Sequence, residues 1–570
     1  MAQSERAVMY TSCEKYLDND ELLSFLNTTR EKHGRYFDFE SIGKSSLGED
    51  IYLVTLTDKE YKHHSEKPAF WIDANIHASE VTGTQGVVFF IERLLDEKHP
   101  YADRHKELMK KMTYYLIPRF SPDGARAFFK ESNSYRSTPL EMAHEYSNFK
   151  RQDLDGDGEI TLMRWKDKAG PFKELAGHPG VLVPRDASDF PFESESYYQV
   201  VPEGTWTNFD GFKKTKNYDF GYDFNRQSPS FFAPEGIQKG AGTLPLEFPE
   251  TRAVAEAIRS RKNIFASNSY HTYGGFIIKT PANIPEASVP LEDRMRSEMI
   301  GELLQKTTDY TVHSGGDDFV YVPGQPLPGT FDEWYYLHLG IMGMTIEYWD
   351  VWKHAGMSWE KAVEKYETLS TENMVKLLNW AKENLKRNEY FKEWTSYDHP
   401  QLGKVEIGGF KTAFFLTNPP IKFLAKEIEN VFEGSFAVSR MAPLVEVDSI
   451  AVEPIEGNTS KVTVVVKNTG YFPTYGSAQA LKVKIINKPL CKTSLSATSG
   501  ELKILSAPAA ESIHHLKGFS DSNPRISPFF GTGFSHEYEQ QLSWIIQGHG
   551  KFTFEINYFK GGVVRQTVTV

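Results

Sequence analysis

The stretch AFWIDANIHASEVTGTQGVVFFIERLL, Ala69 to Leu95, limits the fold of this chain more than any other. Ala69 to Ile76 is a nearly unbroken apolar run of strand length, and Val81 to Leu95 has the apolar spacing of a helix. A strand that is apolar on both faces belongs in a sheet covered by helices on each side, so the chain is predicted to be α/β. The turn between the two elements carries His77 and Glu80. Their three-residue spacing at the mouth of a helix turns both side chains to one side, which suits two ligands of one Zn²⁺.

Neighbouring segments extend the pattern. A helix is expected at 20–33, a hairpin of strands at 37–42 and 51–57, and further strands at 112–118, 264–269, 276–279 and 343–348. Helices are expected at 249–260, 290–308 and 359–386. Strands alternating with helices predict a mixed central sheet flanked by helices. Between Asp123 and Asp223 the pattern weakens into Gly, Pro, Ser and aromatic residues, which reads as elaborated loops around a site. From residue 438 period-two runs take over: VEVDSIAVEPI, KVTVVVKNTG, ALKVKIIN, KFTFEINYF and VVRQTVTV. They predict an all-β, immunoglobulin-like sandwich. The expected domains are 1–437, with a connector at 398–437, and 438–570.

Charge and cysteine usage narrow the function. A formal net charge of -12 does not suit nucleic acid as a partner, because phosphate binding needs a basic surface. No apolar run reaches the roughly 20 residues that span a membrane. The start of the chain lacks an apolar leader core, so a secreted or periplasmic protein with its leader removed is expected, the cytoplasm being the alternative. Cys13 and Cys491, at opposite ends, form no disulfide framework. The oligomeric state is not legible in the sequence.

His-x-x-Glu also occurs at His63 with Glu66 and at His536 with Glu539, so spacing alone does not single out His77. Its place at the end of an apolar strand does, because open α/β sheets put their ligands at strand ends. A catalytic zinc keeps three protein ligands and one open position. His271, after NIFASNSY, meets the need for a third ligand from another strand end. Glu347, in GIMGMTIEYWD, ends a run apolar enough to be a core strand. A carboxylate there is costly to bury without a partner or a task, and general base is the task this chemistry needs. An anionic substrate end would also call for an arginine, whose planar fork grips a carboxylate with two hydrogen bonds.

The segments NIHASE, PRFSPDG, LMRW, YDFNRQ, SYHTYGG and TFDEW to TIEYW occur in an order that resembles the zinc carboxypeptidases of the A, B and T type, over residues 10–390. The resemblance implies one Zn²⁺ on His77, Glu80 and His271, with Glu347 as general base and later proton donor. It implies that Arg164 stabilises the oxyanion and that Asn225 and Arg226 grip the free C-terminal carboxylate of a peptide substrate. Counting back from Glu347, the loop tyrosine of the family falls at Gln325, with Tyr321 nearby. The pocket-floor position falls on Asp332, which favours a C-terminal Lys or Arg; a shift of one residue would put Phe331 or Glu333 there. Removal of the C-terminal residue of a peptide is the expected activity. The alternatives are a peptidase for cell-wall peptides and a binding protein that kept the fold.

Within DLDGDGEITLMR, Asp153, Asp155, Asp157 and Gly158 match positions 1, 3, 5 and 6 of a calcium loop, but position 12 is Arg164. Two readings stand: a partial Ca²⁺ site bracing the loop, or an Asp/Gly turn facing water.

Overall fold

The computed structural model describes residues 10–140, 149–189, 196–207, 209, 211, 221–319, 327–358, 370–522 and 537–570. Ala69–Ala74 is a central strand of an eight-stranded mixed sheet. From edge to edge the order is Phe37–Lys44, Asp50–Leu56, Thr113–Ile117, Ala69–Ala74, Ile264–Thr272, Met342–Tyr348, Phe276–Lys279 and Thr311–Ser314. The four strands from Thr113–Ile117 to Met342–Tyr348 are parallel, and antiparallel pairings bound them on both sides.

Alternation along one strand builds the layers. Phe70, Ile72 and Ala74 pack with Val88 and Ile91 of the helix Thr82–Leu95 and with Ile428 and Phe432 of the helix Ile421–Ser439. Ala69 and Trp71 point the other way, onto Val254 and Ile258 of the helix Pro249–Ser260 and Trp334 of the helix Phe331–Leu339. Successive side chains of a strand face opposite sides, so one short apolar run serves two cores. The helix Thr82–Leu95 seats closely because position 86 is glycine: a Cβ there would meet the Tyr348 hydroxyl at 2.3 Å. The helix Asn19–His33 begins with a capping box between Asp18 and Glu21. Of the helix expected at 359–386, the part Thr371–Asn384 is seen, and 359–369 lie outside the described residues.

The segment expected as loops instead forms most of a second, six-stranded antiparallel sheet. Its order is Phe391–His399, Gly403–Phe410, Leu162–Lys166, Tyr197–Pro202, Phe172–Glu174 and Leu182–Pro184. These strands are too short to show a period, and one partner comes from far downstream. Arg164 pairs in register with Glu406, 242 residues later.

The C-terminal part is an all-β sheet ordered Val445–Pro454, Thr459–Asn468, Glu539–Asn557 and Leu490–Ser506, with Val563–Thr569 also paired to Glu539–Asn557. Its two layers come from one sheet folded on itself. Eight residues of extended strand span about 26 Å, yet the rings of Trp544 and Phe552 lie 5.3 Å apart. The fold-back falls at Gly548, whose φ of 108° favours glycine. ALKVKIIN, residues 480–487, expected as a strand, instead begins inside the helix Ala478–Lys482. Ser477 caps it, and the buried Asp293 of the α/β part accepts hydrogen bonds from the amides of Ala478 and Gln479. That tertiary carboxylate overrides the local alternation.

The same Asp293 bonds Arg296, which also reaches Asp521, so the two parts share a buried ion-pair network. Lys560, buried, donates to the carbonyl of Ile264 at 2.7 Å. Burial lowers its ammonium to about 7. Ile264 begins the strand that ends near His271, so the all-β part is fastened at the far end of the sheet from that histidine. Among the described residues no helix is long and apolar enough to cross a membrane.

Candidate metal centre

The carboxyl ends of three parallel strands converge on one place. His77 lies just past Ala69–Ala74, His271 in the last turn of Ile264–Thr272, and Glu347 beside it in register on Met342–Tyr348. Asn75 shapes the turn that carries His77 and Glu80: its φ is 58°, and its amide donates to the carbonyls of His77 and Ala78 at 2.7 and 3.2 Å. Asn263 anchors the opposite end of the second strand, donating to the Lys67 carbonyl at 2.7 Å.

His77, Glu80 and His271 are 2, 4 and 4 % exposed. His77 Nδ1 lies 2.8 Å from Glu80 Oε1, His271 Nδ1 lies 3.1 Å from Glu80 Oε2, and the two Nδ1 atoms face each other at 3.2 Å. Two facing Nδ1 atoms cannot both carry a proton toward each other, so a lone pair is available. Ligands of a tetrahedral zinc at about 2.05 Å stand about 3.3 Å apart. The donor set and its spacing therefore fit zinc, with His₂Glu a known catalytic combination.

Two further residues hold this cluster. Asp223 Oδ1 lies 3.2 Å from His77 Nε2, and an Nε2–H donated to that carboxylate leaves Nδ1 free for a metal. Arg136 donates to Glu80 Oε1 at 2.9 Å and to Asp223 Oδ2 at 3.1 Å. Burial works to raise Glu80, but His77 and His271 outweigh it and hold the carboxyl well below the usual range. Burial is likewise outweighed at Asp223, by Arg136, Arg226 and His77.

Glu347 differs from both. Its Oε2 is buried without a hydrogen-bond partner. Burial pushes the carboxyl up, His271 and Arg136 pull it down, Glu80 and Asp332 push it up again, and it stands at about 8.

The segment after Asp223 lies against the start of the helix Phe331–Leu339. Asn225 Oδ1 accepts from the Phe331 amide at 2.9 Å, and the amide of Ser228 donates to the carbonyl of Gly329 at 3.0 Å. Arg226 is buried, with Nη1 on the Asn225 carbonyl at 2.7 Å and Nε unpartnered. Asp332, in the first turn of that helix, accepts from Thr345 Oγ1 at 2.8 Å, two residues before Glu347. Asn225, Arg226 and Asp332 are thus brought to the same region as Glu347.

Arg164 is not. Its guanidinium donates to Glu406 at 2.8 Å and Glu174 at 3.0 Å and lies 4.4 Å from the ring centres of both Tyr198 and Trp394, inside the second sheet. Four partners there leave it no part in the cluster, and the cation at Glu80 is Arg136. Tyr321 lies outside the described residues. The calcium reading finds no support: Asp153 accepts from the amides of Gly156 and Gly158 at 2.7 and 2.8 Å, and Lys392 bridges Asp155 and Asp157 at 2.8 and 2.6 Å. An ammonium already supplies the positive charge. Arg136 and Asp223 are the residues that sequence reasoning missed. Asp223 lies inside the motif YDFNRQ, two positions before Asn225, and was legible there; Arg136 sits in SNSYRS, a short polar turn with no period.

Residues 22–173 and 196–366 match the profile of the family described as zinc carboxypeptidase. Residues 444–569 match a domain of unknown function, DUF8731. Among curated proteins the chain is similar to carboxypeptidase B2 of Rattus norvegicus, at 23% identity over 360 residues, 62% of this chain and 67% of that protein. It is similar to carboxypeptidase B of Astacus astacus at 25% over 126 residues, and to carboxypeptidase SOL1 of Arabidopsis thaliana at 22% over 253 residues. These two matches cover 22% and 43% of this chain and span 39% and 48% of the relatives' lengths. A crystal structure of thrombin activatable fibrinolysis inhibitor aligns at a TM-score of 0.42 and 17% identity, over 75% of each chain.

Proposed function

The chain belongs to the zinc carboxypeptidase family, and from that premise we propose that it removes the C-terminal residue of peptides bearing a free carboxylate. The observation that carries this is the convergence of His77 Nδ1, Glu80 and His271 Nδ1 within 3.2 Å, beside a carboxylate with an unpartnered oxygen. Zinc on these three residues would polarise the scissile carbonyl and bring the pKa of water toward about 7.

Glu347 takes a proton from the attacking water at Oε2 and returns it to the leaving nitrogen. Burial raises its carboxyl, and a cation on the neighbouring His77, Glu80 and His271 would lower it again, toward the range in which a general base works. Arg136 takes the role first expected of Arg164, a fixed cation facing the developing oxyanion. Asp223 orients His77 and Arg136 together. Arg226, with Asn225 beside it, binds the substrate carboxylate; internal peptide bonds have no such charge, and this favours exopeptidase over endopeptidase action.

Asp332 is proposed as the selective residue for the side chain of the departing amino acid, and a carboxylate at that place favours Lys or Arg. Peptides identical except for a C-terminal Lys, Arg, Phe or Leu test this. Basic ends should be preferred about tenfold or more, and Asp332→Asn should remove most of the preference. A preference for Phe would sink the role of Asp332 without touching the hydrolytic reading. The buried, unpartnered Oε2 of Glu347 favours catalysis over a binding protein that kept the fold.

A further inference from the structure

Against the helix Pro122–Glu131 lies a cavity of about 560 Å³ lined by the aromatic rings of Tyr16, Phe128, Phe129, Phe410 and Phe414, with Ile421 and with charged and polar side chains between them. Its size is that of a ligand site and not of a packing defect. Phe414 packs tilted against Tyr16 and Phe128, ring centres 4.8 and 5.6 Å apart, yet is 38 % exposed, and Ile421 is 44 % exposed. Of the charges at its rim, Lys411 pairs with Glu159, Lys15 with Glu21, and Arg151 donates to the Ser134 carbonyl at 3.3 Å. An uncharged, flat occupant suits such a cavity better than an ion.

Two links tie this cavity to the metal centre. Ser134 lines it, and Arg136, two residues on, donates to Glu80. Two residues of extended chain span at most about 7 Å. On the other side, Phe414 lies in the turn Ala413–Thr417, which ends at the buried Asn418. The Asn418 amide donates to the Ser79 carbonyl at 2.8 Å and its Oδ1 accepts from the Thr82 amide at 3.0 Å, so it grips the ligand turn between His77 and Glu80. Tyr16, Phe410, Phe414 and Ile421 lie outside the residues matched by the family profile, so most of this wall is this chain's own.

We infer that the cavity receives an aromatic side chain of the peptide substrate, a few residues upstream of the bond that is cut. This rests on the carboxypeptidase reading, because the occupant is a segment of the same peptide. The contribution of such a contact to ground-state binding is read directly as affinity when the chemical step is blocked.

Hexapeptides with one C-terminal half and either Phe or Gly at each upstream position are titrated onto the zinc-loaded Glu347→Gln protein by calorimetry. At one upstream position Phe should bind about tenfold more tightly than Gly, and Phe414→Ala or Ile421→Ser in the same background should abolish that ratio. Equal dissociation constants at every position, or a ratio that survives Phe414→Ala, would overturn the inference. Both residues are partly exposed, which limits the cost of the substitutions to folding. Hydrolysis of the same peptides by the wild-type protein separately tests the carboxypeptidase reading, so failure of one claim is not mistaken for failure of the other.

Discussion

Among the described residues two groups of side chains lie close enough to share a metal ion, His77, Glu80 and His271 in one and Asp153, Asp155 and Glu203 in the other. They differ in what the fold has already placed among them. In the first, rigid strand ends push two imidazoles together with their Nδ1 atoms 3.2 Å apart, and Asp223 takes the other nitrogen of His77. In the second, Glu203 accepts amide protons from Leu154 and Thr161, Asp153 accepts them from its own loop, and Lys392 sits on Asp155. Ligand-type residues at ligand spacing make a site only where folding leaves their lone pairs unspent. The second group is a cross-link between two loops, written in the same residue types.

The most severe test of this contrast is to remove one member of each group. His271→Ala should lose bound zinc and lower kcat/KM by roughly a thousandfold or more, since the site then has two ligands. Asp155→Asn should leave zinc content and turnover within about twofold. Metal analysis beside a peptide assay reads both, and comparable losses would erase the distinction drawn here.

Two arginines, Arg164 buried and Arg136 partly exposed, sharpen it at the next magnitude. Arg136→Ala should lower kcat about a hundredfold to a thousandfold with the melting temperature little changed, as expected for a missing transition-state cation. Arg164→Ala should leave kcat near wild type and cost about 1–3 kcal/mol of stability, from its lost bonds to Glu406 and Glu174. Turnover and urea unfolding of the two variants give opposite rankings if the assignment is right; the same ranking would return Arg164 to the centre.

Lys392→Ala carries the smallest effect. Without the ammonium the loop keeps three uncompensated carboxylates, and millimolar Ca²⁺ should raise the melting temperature of the variant by about a degree or two while leaving wild type unmoved. Acid acts on the same contact. Burial opposes it, but Lys392 is the main cause that holds Asp157 below its ordinary 3.8, so this stability is full above 3.8 and is lost as pH falls through the lower folded value. Asp157 is largely solvated, so the loss is a fraction of the whole.

The same contrast explains what was legible in the sequence. Ala69–Ala74, Ile264–Thr272 and Met342–Tyr348 are buried on both faces, so their apolar runs announced themselves, and the ligands and Glu347 stood at their ends. The second sheet had no such mark, because strands such as Phe172–Glu174 are three residues long and Leu162–Lys166 finds a partner in Gly403–Phe410 far downstream. Arg164 was expected at the centre because the segment LMRW carries part of the family resemblance, whereas Arg136 stands in a polar turn after the helix Pro122–Glu131. Only the fold shows that the turn, and not that segment, reaches Glu80. The helix Ala478–Lys482 was hidden for a similar reason, since the carboxylate that stabilises it belongs to Asp293, 185 residues earlier.

The central claim, one zinc held by His77, Glu80 and His271 working with Glu347 on a free C-terminal carboxylate, is tested most directly by following release of the last residue from one peptide in free and amidated form. Zinc-loaded wild-type protein should release it from the free peptide alone, at one zinc per chain, and Glu347→Gln should bind the same zinc while losing about a hundredfold to ten-thousandfold in kcat. Equal release from the amidated peptide, or a Glu347→Gln variant as fast as wild type, would contradict the account.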